Sequence, residues 1–271
     1  GFGPVSCGGG GAAGLGRGVR RGFSPGLRRG VKGTGGGYIE IKKAGDRFHT
    51  QISWLDGRHS FSFGSHYDPT NTHHGLLLVH NEDYIDPMKG FSTHPHQDME
   101  IVTWMLEGEV EHKDSMGNSG LIYPGLAQRM SAGTGIYHSE MNARGEGRAH
   151  LVQMWVPPDT ERITPGYEQL DISSELAKGE LIPLASGNKN LAAIRIAQKN
   201  ATLWVGRLAP GKTVKVPEAS HVHLFVAKGS GALSGAGDLS QGDAARLVRA
   251  GTPLWTAGPK GSEVLIWQTE A

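Results

Sequence analysis

The chain is poor in four things, and each shortage closes off a class of protein. It has one cysteine, Cys7, so neither an intramolecular disulfide nor a thiolate metal site can form. Such usage suits a reducing, cytoplasmic setting without requiring one. No uninterrupted apolar run approaches the roughly 18 residues that span a bilayer, so no membrane partner is expected. No long stretch repeats its apolar residues every 3.6 positions, and a single helical turn is expected near residues 172–178. Acidic residues, finally, are missing from residues 1–37, which hold Arg17, Arg20, Arg21, Arg28, Arg29 and Lys32.

That last shortage unmasks a charge asymmetry. The 271 residues carry a formal net charge of +1, so the 234 beyond the leading segment sum to −5. The folded part is mildly acidic and is not expected to bind nucleic acid. Residues 1–37 also hold 16 of the 42 glycines and little apolar surface to set against ordering entropy, which predicts a disordered tail.

From Tyr38 onward, short apolar runs alternate with Gly, Asn, Asp and Pro clusters. Residues 75–80, 100–106 and 150–156 are of strand length and rich in β-branched and aromatic side chains. A second series follows at 192–197, 202–207, 213–216, 221–228, 244–248 and 263–269. Between them lies a crossing punctuated by Pro157, Pro158 and Pro165, which cannot be a central strand because proline donates nothing to a ladder. The pattern predicts an all-β chain of two tandem antiparallel β-barrels, over residues 38–170 (with the crossing) and 171–271. A monomer is expected.

Two His/Glu pairs carry the chemistry. His94 and His96 stand at i and i+2, so on a strand they face the same way, and Pro95 between them marks an edge or a bulge. His138 and Glu140 repeat the spacing after a glycine-rich turn. If the two strands are neighbours, three imidazoles and a carboxylate converge, and a buried cluster of that kind needs a cation at its centre. The donor set suits Fe(II), Mn(II), Co(II), Ni(II), Cu(II) or Zn(II). Ligand imidazoles must be neutral, so metal affinity is expected to fall as pH drops through about 6. Isolated pairs carry less weight in a chain with 13 histidines: His73 and His74 are expected to be loop residues. His221 and His223 have no later His or Glu pair to complete a site, so the second barrel is expected to be metal-free.

The segments Gly90–His96, 106–115 and 131–140, with 59–64 upstream and 163–169 downstream, resemble the pirin family. Those proteins are bicupins, two germin-like barrels in tandem within the cupin superfamily, so the resemblance implies that double-stranded β-helix, jelly-roll fold. It further implies metal ligands at His94, His96, His138 and Glu140, with Fe(II) foremost. Ordinary cupins take their glutamate from the place that Glu100 occupies, which makes Glu100 a candidate to orient a histidine or to act as a base. Gln128 and Met130 are candidates to line the same cavity. The likeness to bacterial members described as quercetin 2,3-dioxygenases implies a phenolic substrate and O2, ring opening with loss of CO, and Glu140 or Glu100 as proton acceptor. Other pirins are iron-dependent partners of transcription factors, which keeps a non-enzymatic regulator or redox sensor as the alternative.

Overall fold

Alternation in the sequence becomes burial strand by strand. The computed structural model describes residues 31–32, 36–188 and 191–271. Most of the tail expected over 1–37 lies outside the described residues; within it, Val31–Lys32 pairs antiparallel with Ile39 and Tyr38. The architecture is almost wholly β, in sheets of ten, seven and four strands. The helical turn expected near 172–178 is the short helix Ser173–Leu176.

Glu100–Glu107 lies within the seven-stranded sheet, flanked by Leu126–Ser131 and Ala149–Val156. Only its last residue is exposed, because both of its faces are covered. Val102, Trp104 and Leu106 pack against Leu203, Phe225, Leu265 and Trp267 of the ten-stranded sheet. On the opposite face, Met105 packs with Val110 and Ile122 of the four-stranded sheet, and Ile101 with Ile136. The seven-stranded sheet is therefore the middle of three layers.

Several boundaries differ from the sequence pattern. The apolar run at 75–80 is largely a turn that buries Leu77, and the strand is Val79–Ile85. Gly166–Asp171, expected as part of the crossing, pairs with Leu126–Ser131 as the outer strand of the seven-stranded sheet. Tyr38–Lys42 joins the ten-stranded sheet through Ala244–Val248.

Polar groups clasp the middle and ten-stranded layers. The Trp104 indole donates to Glu263 Oε2 at 3.0 Å, and Arg207 Nε donates to Oε1 at 2.7 Å. His74 sits in a loop, as expected, yet is buried, and its Nε2 lies 3.1 Å from the carbonyls of both Val222 and Leu247. His80 and His223 meet with ring centroids 4.9 Å apart, fully buried. Burial, with Arg47 nearby, holds His80 down to about 3.

A histidine whose folded value lies below its ordinary 6.5 is protonated first in the unfolded chain. Its contribution to stability is therefore complete above about pH 6.5 and is lost as pH falls toward the folded value. His80→Phe removes this titration and keeps a ring beside Phe225. Between about pH 6 and 4, the fall in unfolding free energy should be shallower in the variant by about 1.4 kcal/mol per pH unit, read from urea denaturation at each pH. Equal slopes would mean that His80 is already charged in the folded protein.

Candidate metal centre

The four-stranded sheet runs in the order Gly90–His96, Ile136–Met141, Val110–Asp114, Ser119–Ile122. Pro95 is tolerated opposite Tyr137 because its strand is an edge. His138 stands directly across from His94, and Ile136 across from His96. The register then slips, so that Glu140 opposes Phe91: a bulge in the edge strand accommodates one extra residue. Close approach at its far end requires a glycine, since a Cβ on Gly90 would lie 2.7 Å from Met141 Cα. The turn leading into Ile136–Met141 uses Gly133 at φ +51°.

This pairing gathers three of the expected ligands tightly. One ring nitrogen from each of His94, His96 and His138 lies within 4.8 Å of the others. His94 Nδ1 donates to the Ser92 carbonyl at 2.7 Å, which leaves its Nε2 lone pair bare. His138 Nε2 is buried with no hydrogen-bond partner and lies 3.6 Å from Glu140 Oε1. Burial, reinforced by the neighbouring imidazoles, holds both His96 and His138 down to about 3. Those two rings are thus neutral far below pH 6, which corrects the expected onset of proton competition at these positions. The reason is desolvation, which a linear sequence does not display.

Glu140 is held from below by residues that the sequence reading missed. Trp155 Nε1 donates to Gln153 Oε1 at 3.1 Å. An indole N–H can only donate, so the Gln153 NH2 must point the other way. It reaches Glu140 Oε1 and Oε2, each at 3.0 Å, and Thr103 Oγ1 at 3.2 Å. The Trp155 ring meets His96 edge-on at 5.0 Å, so one residue braces an imidazole directly and the carboxylate through Gln153. The signal was present: Gln153 and Trp155 share a face of one strand, and a glutamine interrupts an otherwise apolar run.

His112 is a second omission. It pairs with Glu140 across the strands, its Nε2 lies 2.7 Å from the buried Asp114 Oδ2, and Tyr167 stacks on its ring at 4.6 Å. Glu100 behaves differently from its expected role beside a histidine. Fully buried, its Oε1 accepts from Ser131 Oγ at 2.8 Å and from the Ala197 amide at 2.5 Å, and none of its hydrogen bonds among the described residues reaches an imidazole. Its strand pairing turns it toward the junction with the C-terminal half. Gln128 accepts from the Thr103 amide at 3.3 Å, while Met130 packs with Ile101, Ala132 and Ile136. A separate surface cavity of about 510 Å³, lined by Leu176, Arg207, Lys228 and Gly261, includes none of these residues.

The family model named Pirin matches residues 42–156. A Mycobacterium tuberculosis H37Rv protein, named provisionally as a quercetin 2,3-dioxygenase, is 55% identical over 234 residues, spanning 86% of this chain and 96% of its own length. The quercetin 2,3-dioxygenase of Escherichia coli K12 is 51% identical over 131 residues, which is 48% of this chain and 57% of that protein. Among solved structures, the bacterial pirin YhhW from Escherichia coli, in complex with nickel(II), superposes with a TM-score of 0.78 at 34% identity, covering 86% of this chain and all (100%) of that one. The fold, the motif positions and these relatives lead to one conclusion: the chain belongs to the pirin family.

Proposed function

We propose that His94, His96, His138 and Glu140 hold one divalent transition metal, Fe(II) foremost, and that the protein opens the heterocyclic ring of a flavonol such as quercetin with O2, releasing CO. The observation that carries this reading is the set of converging imidazole nitrogens beside a buried, unpartnered His138 Nε2. An orphaned buried nitrogen is costly, and a cation at that point removes the cost. The names of the relatives support the substrate class.

When bound, the metal supplies Lewis acidity toward a phenolic oxygen and redox chemistry toward O2. The chain's own residues do the rest. Ser92 sets the His94 tautomer, Gln153 donates to both oxygens of Glu140 and aims it, and Trp155 braces His96. Glu140 accepts the proton of the flavonol 3-hydroxyl. Residues 38–170 and 171–271 are read as tandem cupin barrels of a monomer, the second sheet borrowing the strand Tyr38–Lys42.

Elemental analysis of the purified chain should find one equivalent of metal, and a His94→Ala/His138→Ala double variant should hold none. Stoichiometric metal in that variant would refute the ligand assignment. Gln153→Leu should remain folded and lose roughly 10- to 100-fold in metal affinity or turnover. Glu100→Gln should keep both, since its carboxylate serves Ser131 and Ala197.

Loaded with Fe(II), Cu(II), Ni(II) or Co(II), the protein should consume O2 when given quercetin and evolve CO in equal amount. Quercetin methylated at the 3-hydroxyl should be inert, because Glu140 then has no proton to accept. Inertness of every metal form toward unblocked flavonols would replace the enzyme with an iron-dependent regulator.

A further inference from the structure

Three buried ring nitrogens around the metal centre have no hydrogen-bond partner: both nitrogens of His138, and Nδ1 of His112. The proposed metal accounts for His138 Nε2, which faces Glu140. Two Nδ1 atoms remain, on rings whose centroids are 5.5 Å apart and tilted by 53°. A buried polar atom left unpaired is costly, so each of these calls for a partner.

Their needs are complementary. His112 Nε2 is 2.7 Å from Asp114 Oδ2, and that carboxylate also accepts at Oδ1 from the amides of Met116 and Asn118. An acceptor so placed takes the Nε2 hydrogen of His112, and Nδ1 is left with a bare lone pair that wants a donor. A histidine that binds metal through Nε2 keeps its hydrogen on Nδ1, and that N–H wants an acceptor. An N–H···N bond of about 3 Å between two imidazoles puts the ring centres roughly 5 Å apart, close to the 5.5 Å between these two. Tyr167, stacked on His112 at 4.6 Å, holds the plane of the connecting ring.

We infer that Asp114, His112 and His138 form a hydrogen-bonded relay, carboxylate to imidazole to imidazole, that orients His138 and strengthens it as a metal donor. The inference rests on His138 being a ligand, as proposed above. Asp114 and His112 are positioning residues in this scheme. Neither needs to touch the substrate.

Two substitutions separate hydrogen polarity from packing. In Asp114→Asn the side-chain carbonyl can still accept from Met116 and Asn118, while the NH2 replaces Oδ2. It then donates to His112 Nε2, drives the hydrogen to Nδ1, and sets two N–H groups against each other. His112→Gln preserves the polarity, with its NH2 toward Asp114 and its carbonyl toward His138. The full chain would be titrated with Co(II) against a chelator, and the visible absorption of the Co(II) form recorded, with near-UV circular dichroism as the check on folding.

Asp114→Asn should bind Co(II) roughly 10- to 100-fold more weakly with displaced absorption bands, and His112→Gln should stay within a few-fold of the parent. An unchanged Asp114→Asn overturns the relay and leaves the metal centre standing. A His112→Gln variant as weak as Asp114→Asn also overturns it, because polarity would then not be the cause. A parent protein that binds no Co(II) removes the metal reading and the relay with it. Nitrogen-15 spectra of the zinc-loaded parent give an answer without any substitution: His112 should carry its hydrogen on Nε2 and His138 on Nδ1, and the reverse tautomer at His112 ends the proposal.

Discussion

A strand with no solvent face must have a packed layer on each side, and Glu100–Glu107 imposes that requirement on the molecule. One side is met by the ten-stranded sheet through Trp104 and its neighbours, and the other by the four-stranded sheet through Ile101 and Met105. The candidate metal centre lies in the second of these interfaces. Its imidazoles come from the outer layer, and the groups that hold Glu140 come from the middle one. Thr103 faces the site from the buried strand itself and shares the Gln153 amide with Glu140. Packing of the core and aim of the carboxylate are thus set by the same layer.

Polar groups serve both of these interfaces. Between the middle and ten-stranded layers, Glu263, Arg207 and the His74 imidazole satisfy one another or nearby backbone, which fixes two sheets relative to each other. Bare ring nitrogens occur in both interfaces, on His80 and His223 against the ten-stranded layer and on His138 and His112 against the four-stranded one. What sets the His138 set apart is that it converges with two further imidazoles and a carboxylate, an arrangement that a bound cation would complete.

How much of this was legible beforehand depended on the range of the interaction. The i, i+2 spacing in His94-Pro95-His96 and His138-Ser139-Glu140 is local, and it correctly placed each pair on one face of a strand, with the proline at an edge. Strand existence was legible for the same reason at 100–106, 150–156 and 244–248. What could not be read was anything fixed by a distant partner. Glu100 reads from the sequence as a group that could orient a histidine or act as a base, whereas its oxygen serves Ala197, nearly a hundred positions away. His223 looks like filler until it meets His80. The depressed values of His96 and His138 are likewise products of burial and of each other.

The pairing of Tyr38–Lys42 with Ala244–Val248 has a consequence for how the protein is made. Tyr38 and its partner Val248 are 210 positions apart, so the ribosome delivers one strand well before the other. At roughly 5–20 residues per second, that is a wait of about 10 to 40 seconds. Throughout it, the edge of Tyr38–Lys42 that will meet Ala244–Val248 stays open, and an open edge is a template for a wrong partner. Attachment of Tyr38–Lys42 to the ten-stranded sheet therefore waits on a strand made long after it, and the early segment must be kept from other edges until then.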